Sequence, residues 1–225
     1  MEQEGRRERT LHPCHGAASA AAASMSRKIR AAERHLARVD PVLARLIEEH
    51  GPCTLVRDAR PHFHTLVWAV INQQLSVRAA KSIEARLLQR LGTEHFLPQH
   101  LHGLRECELR SCGLSAAKVR CIREISSRVS CGRLDLEQLE KLGDQQAAQR
   151  LVELPGIGQW TADMLLMFAL GRMDVLPIGD LALRRSIKLH HGLPDDARDT
   201  AYLQIAQPWR PYRTVASWYY WAAVD

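Results

Sequence analysis

Asp180 is the carboxylate best placed to do chemistry, because it follows a phosphate-gripping turn at a fixed distance. The turn is Leu154-Pro155-Gly156-Ile157-Gly158-Gln159-Trp160-Thr161-Ala162. Glycines at 156 and 158 can take positive φ and let another backbone approach closely. The helix start behind them presents N–H groups without intrahelical partners, an anion site that a DNA phosphate fits. A carboxylate held beyond that grip can act on the anchored strand. Taken singly, each piece has a plainer reading. Pro155-Gly156-Ile157-Gly158 is a tight inter-helix turn, and Asp180 ahead of Leu181-Ala182-Leu183 is a helix N-cap. Trp160, Trp218 and Trp221 read as packing residues. Asn72-Gln73-Gln74-Leu75-Ser76 reads as the polar end of a helix.

The elements that must position these residues are helices. Leu36, Val39, Val42, Leu43, Leu46 and Ile47 recur at three- and four-residue steps, with Pro41 starting a second helix. Phe63, Leu66, Val67, Val70 and Ile71 form one stripe, and residues 77–91 turn Ala79, Ala80, Ile83, Leu87 and Leu88 inward. Ser115 N-caps a helix over 116–130. Residues 160–171 are apolar nearly all round, which predicts a central buried helix. Residues 181–191 are amphipathic, and 200–206 and 213–224 read as helical. No period-2 run with turn signals appears, so the expected class is all-α.

The chain has 225 residues, 46% hydrophobic and 25% charged, which is ordinary for a globular protein. No apolar run approaches the roughly 20 residues that cross a bilayer, so no membrane partner is expected. Six cysteines without a CxxC pair suit a reduced, intracellular protein. The His62/His64, His100/His102 and His190/His191 pairs are too scattered for a metal site, and none is expected. Of the net charge of +6, half lies in residues 1–30, where six Lys/Arg face three acids. Within 72–133, eleven Lys/Arg face five acids, a local footprint for a polyanion. Residues 1–28 form an Ala/Arg-rich tail with little to bury and are expected to be disordered, with Met25 an alternative start.

In combination the motifs resemble the helix-hairpin-helix (HhH-GPD) DNA glycosylase superfamily, over roughly residues 35–225. The spacing from Trp160 to Asp180 is similar to the alkylation-repair branch, DNA-3-methyladenine glycosylase II. So are His62-Phe63 leading into Asn72-Gln73-Gln74-Leu75-Ser76, Cys112-Gly113-Leu114-Ser115-Ala116-Ala117-Lys118, and Arg172-Met173-Asp174-Val175-Leu176-Pro177. The resemblance implies one HhH-GPD domain over 29–225, with two helical lobes, a hairpin at about 151–165 and the active-site cleft between the lobes.

It also implies roles. Asp180 stabilises the oxocarbenium character that builds as an N-glycosidic bond breaks. Trp160, Trp218 and Met164 wall the base pocket, where π faces attract a cationic base. Gly156, Gly158 and Thr161 grip a phosphate. Gln73, Gln74 and Leu75 supply the wedge that fills the gap left by the flipped base, with the intercalating side chain left open among them. Relatives that act as lyases carry lysine at the position of Trp160, and an indole cannot form a Schiff base. The implied activity is therefore monofunctional excision of alkylated purines, chiefly 3-methyladenine. The partner is double-stranded DNA, the protein a monomer, and the cofactor none, with the hairpin able to seat a structural monovalent cation. Every cysteine precedes Leu134, which disfavours the iron–sulfur cluster of some relatives. Asp163 and Asp174 lie near the motif but off the catalytic position. The compartment implied is cytoplasm in a bacterium and nucleus in a eukaryote. Two alternatives remain: the same fold acting on oxidised or deaminated bases, and a non-catalytic structure-specific DNA-binding module.

Overall fold

Asp40 and Pro41 show how the sequence punctuates its helices. The computed structural model describes the backbone of residues 15–55 and 57–224, with side chains described from Ser24 onward. Helix α1 spans His15–Val39 and α2 spans Pro41–His50. Between them Asp40 accepts from the Val42 and Leu43 amides at 2.8 and 3.4 Å, so the chain stops and restarts within one residue. Then follow α3 (His62–Asn72), α4 (Val77–Leu91), α5 (Pro98–His102), α6 (Glu106–Ser111) and α7 (Ala116–Ser130). A 3-10 turn at Glu137–Lys141 leads into α8 (Asp144–Val152) and α9 (Gln159–Met164), which runs on as a π turn at Leu165–Ala169. The chain closes with α10 (Leu181–His191), α11 (Asp199–Ala206) and α12 (Arg213–Ala222). Among the described residues there is no strand, and the chain is all-α.

Two apolar clusters divide the helices into two lobes. Cluster one gathers Phe63, Leu66, Val70, Leu109, Ile122, Leu151 and Leu165 from α3 to α9. Cluster two joins both ends of the chain: Leu36, Leu43 and Leu46 meet Leu183, Trp209, Tyr219 and Tyr220. Phe168 and Trp221 pack against both, which puts them at the seam. Backbone bonds also tie the connecting segments to these helices. The Asp58 amide donates to Phe168 O at 2.7 Å, and the Thr214 amide to Met173 O at 2.9 Å.

Two expectations about order change. Residues 15–28 of the expected disordered tail are helical, while residues 1–14 lie outside the described ones. Alanine has the highest helix propensity, so the Ala-rich stretch extends a helix that docks further on and needs no core of its own. Helix α3 is as central as the 160–171 segment, with nine of its eleven residues buried. The short α5, α6 and 3-10 turn were not foreseen, because five or six residues are too few to set up a periodicity. No described helix is long and apolar enough to cross a membrane.

Candidate active site

The hairpin is α8, the turn Glu153–Gly158 and α9, so it begins several residues before the expected 151. Gly156 takes φ +84°, which L side chains rarely adopt, and a Cβ there would meet Cys121 Cβ and Sγ at 3.0 Å. Both reasons demand glycine. Burial pushes the Cys121 thiol up to about 11, so it packs as a small apolar group beneath the turn. Gly158 differs from expectation. Its φ of −96° is ordinary, and nothing lies within 4 Å of where its Cβ would be, so its smallness leaves open space above α9. No side chain caps α9, so its first amides have no side-chain partner at the cap.

Asp180 does what its local sequence reads. It N-caps α10, its Oδ1 accepting from the Leu183 amide at 2.8 Å. The same carboxylate takes two indole donors: Trp160 Nε1 donates to Oδ2 at 2.7 Å and Trp221 Nε1 to Oδ1 at 3.1 Å. An ionised carboxylate is acceptor-only, so three donors suit it. Trp160 stands on α9 in the first lobe, and Asp180 and Trp221 belong to the second, so the Trp160 bond spans the cleft.

From Trp221 a run of aromatic rings leads away from the carboxylate. Phe168 stacks on Trp221 with centroids 6.3 Å apart and meets Trp68 edge-on at 5.8 Å. Trp68 and Phe168 also line a cleft of about 490 Å³, whose other side is Arg57, Asp58 and Arg60. Phe168 reaches the seam from the π turn, where the Leu170 amide bonds back to Leu165 O at 3.0 Å. Such widened turns recur at functional sites.

The site residues expected from sequence sort unevenly. Trp160 and Asp180 come together. Trp218 does not reach the carboxylate in the described contacts: it is half-buried and edge-on to Tyr219, and Trp221, one turn later on α12, takes that place. Met164 is 3% exposed within the first cluster, a core residue rather than an open wall. The Thr161 hydroxyl is buried and accepts from Gln73 Nε2 at 2.8 Å, so only its backbone amide is free for a phosphate. Gln73 is likewise drawn in, its Nε2 donating also to Gly156 O at 3.0 Å. It does not project as a wedge. Gln74 has φ +54° and is exposed, and Leu75 is 40% exposed, so these two form the tip between α3 and α4. Trp68, Phe168 and Trp221 were the pocket residues that sequence reasoning missed. Their signal was weak: aromatic residues on otherwise apolar helices.

Lys118, from the Cys112–Lys118 motif, holds the wedge loop's base. Its Nζ donates to Ile71 O and Gln73 O at 2.7 and 2.8 Å, and burial pushes its ammonium below the ordinary value. Asp163 and Asp174 have structural partners: Gln159 Nε2 donates to Asp163 at 2.7 Å, and Arg210 and Arg213 pair with Asp174. His62, Glu137 and Glu140 bring three potential metal-ligand atoms within 4.8 Å of one another. The Arg57 guanidinium pairs with Glu140 and approaches His62 Nε2 at 3.2 Å, so an arginine already stands where a cation would go. A monovalent cation at the hairpin would draw on turn carbonyls, and Gly156 O there already accepts from Gln73.

Residues 67–211 match the family described as HhH-GPD superfamily base excision DNA repair protein. The chain is 32% identical over 195 residues to DNA-3-methyladenine glycosylase 1 of Schizosaccharomyces pombe, covering 84% of this chain and 85% of the relative. Its fold is similar to that of an S. pombe 3-methyladenine DNA glycosylase solved in complex with abasic DNA. There the TM-score is 0.78 and the identity 31%, over 84% of this chain and 94% of that one. It is also similar to a DNA-3-methyladenine glycosidase from Bacillus halodurans, with TM-score 0.69 and 37% identity, over 85% and 87%.

Proposed function

The chain belongs to the HhH-GPD superfamily of base excision DNA repair proteins, and from that membership we propose a monofunctional DNA glycosylase that flips out and excises alkylated purines, chiefly 3-methyladenine. The observation that carries this reading is the Asp180 carboxylate, gripped by the indoles of Trp160 and Trp221.

The chemistry follows from the substrate's charge. An N3-alkylated adenine is cationic, so when its glycosidic bond breaks the electron pair leaves with the base and neutralises it. The sugar is left as an oxocarbenium ion. Asp180 stabilises that charge in a site partly closed to water. Water then adds to the anomeric carbon and gives its proton to solvent, leaving an abasic site and the free base. Aromatic faces from Trp68, Phe168 and Trp221 attract the cationic base by roughly 0.5–2 kcal/mol. Neither a general acid nor a cofactor enters this scheme.

DNA binding follows the same layout. Gly156, Gly158 and the first amides of α9, Thr161 among them, hold a backbone phosphate and supply sequence-independent affinity. Gln74 and Leu75 enter the stack as the base leaves it. One cleft and one carboxylate suffice, so the protein acts as a monomer. A panel of duplexes carrying single alkylated, oxidised or deaminated bases tests the reading. Release is expected from the alkylated purines, and release only from oxidised or deaminated bases would overturn it.

A further inference from the structure

Gln73 lies in the segment expected to intercalate, yet its side chain turns away from the loop tip. Its single amide nitrogen donates twice, to Gly156 O at 3.0 Å and to Thr161 Oγ1 at 2.8 Å. One acceptor lies in the hairpin turn and the other on α9, so one side chain staples the end of α3 to the turn and to the helix behind it. The residue's own carbonyl is fixed too, by Lys118 Nζ at 2.8 Å. The Thr161 hydroxyl is 1% exposed, so water does not compete for the bond. The next residue back is Trp160, whose indole holds Asp180 across the cleft.

We infer that Gln73 is a positioning residue: through Thr161 and Trp160 it couples the wedge loop to the Asp180 carboxylate, so that seating the loop in DNA and placing the carboxylate are one event. The inference rests on the glycosylase reading for the role of Asp180. The loop tip, Gln74 and Leu75, touches the gap in the duplex, while Gln73 touches only protein. Each link is a direct contact between neighbours: Gln73 to Thr161 by its amide, Thr161 to Trp160 by the chain, and Trp160 to Asp180 by its indole. Nothing in the link changes charge, so it acts by geometry. It would also make excision depend on correct seating of the loop, a check on the base before the bond is broken.

The test pairs Gln73→Met, which keeps length but loses the donor, with Thr161→Val, which keeps shape but loses the acceptor. Thr161→Val loses one buried hydrogen bond, which predicts a fall of about fivefold to tenfold in single-turnover excision, and Gln73→Met, which also loses the bond to Gly156 O, should fall at least as far. Affinity for an abasic-site duplex should fall less than excision does in each variant, since the lost bonds join protein to protein and not protein to DNA. The double variant should be no worse than the poorer single one, because both remove the same link. Thr161→Ser, which restores the hydroxyl, should lose less than Thr161→Val. Leu75→Ala should behave oppositely and weaken abasic-site binding.

A second readout needs no activity. In a nitrogen-15 correlation spectrum of the free protein, the Trp160 indole N–H resonance should move in Gln73→Met and in Thr161→Val. The Trp209 indole, bonded instead to Asp40 at 2.7 Å, should stay put. Additive losses, an unmoved Trp160 resonance, or a loss of abasic-site affinity in Gln73→Met matching that of Leu75→Ala would each overturn the inference. If the wild-type protein released no base at all, the glycosylase reading would fall, and the indole resonances alone would decide the link.

Discussion

Trp160 donates its indole N–H to Asp180 Oδ2 at 2.7 Å from the opposite lobe, so the hairpin and the catalytic helix meet through one hydrogen bond. Trp160, which cannot form a Schiff base, thus orients the carboxylate. Trp160→Phe keeps the ring and loses the donor. Excision should fall by about tenfold, the effect of roughly 1.4 kcal/mol of misplaced transition-state stabilisation. Neither wild type nor variant should nick lesion DNA without heat or alkali, and borohydride should trap no covalent complex. Strand cleavage by the wild type would contradict the assignment.

Asp180 caps α10 and faces the cleft, and two substitutions separate these jobs. Asparagine caps as well as aspartate but turns an NH2 group toward one indole N–H, so Asp180→Asn should lose some unfolding temperature while losing excision by at least about a hundredfold. Asp180→Ala removes the cap as well and should cost about 1 kcal/mol of stability. Thermal unfolding alongside single-turnover rates checks both.

Gly156 and Gly158 should respond differently although they look alike in sequence. Gly156→Ala meets a positive φ and a contact of 3.0 Å with Cys121, so it should destabilise by about 1–3 kcal/mol. Gly158→Ala, with ordinary φ and open space, should leave unfolding nearly unchanged. It should weaken binding to any duplex, because its methyl group fills the space a phosphate would use. Urea unfolding and a binding titration at fixed salt read the two effects.

Asp163 is 5% exposed, and burial pushes its carboxyl up to about 6 from the ordinary 3.8, against the opposing Gln159 hydrogen bond and the Arg213 charge. The folded state then holds this proton more tightly than the unfolded chain. No penalty exists below about pH 4. Stability drains away as pH rises from about 4 through 6, and the loss stays at neutral pH. Asp163→Asn keeps an acceptor for Gln159 and removes the charge. It should add roughly 1–3 kcal/mol at pH 7.5 and almost nothing at pH 4, measured by unfolding at both.

Much of the site was legible because it is local. The turn, Trp160 and the N-cap Asp180 sit within one stretch, and their roles follow from glycine geometry, capping and spacing. The helix breaks at Asp40-Pro41 and Ser115 were legible for the same reason. What could not be read depends on the direction in which a side chain leaves the backbone. Trp218 and Trp221 are one turn apart on α12, and only packing of the two lobes decides which indole meets Asp180. Gln73 and Gln74 are the same residue type side by side. The positive φ of Gln74 reverses the chain there, leaving one amide in the hairpin and the other in solvent. The resemblance places Met164 in the base pocket, but it is buried in the first lobe's core.

The most direct test of the central claim is mass identification of the bases released from methylated genomic DNA by the wild-type protein and by Asp180→Asn. The wild type should release 3-methyladenine well above the spontaneous rate, and Asp180→Asn should release none above it. Release of no alkylated purine by the wild type, or equal release by the two proteins, would contradict the account.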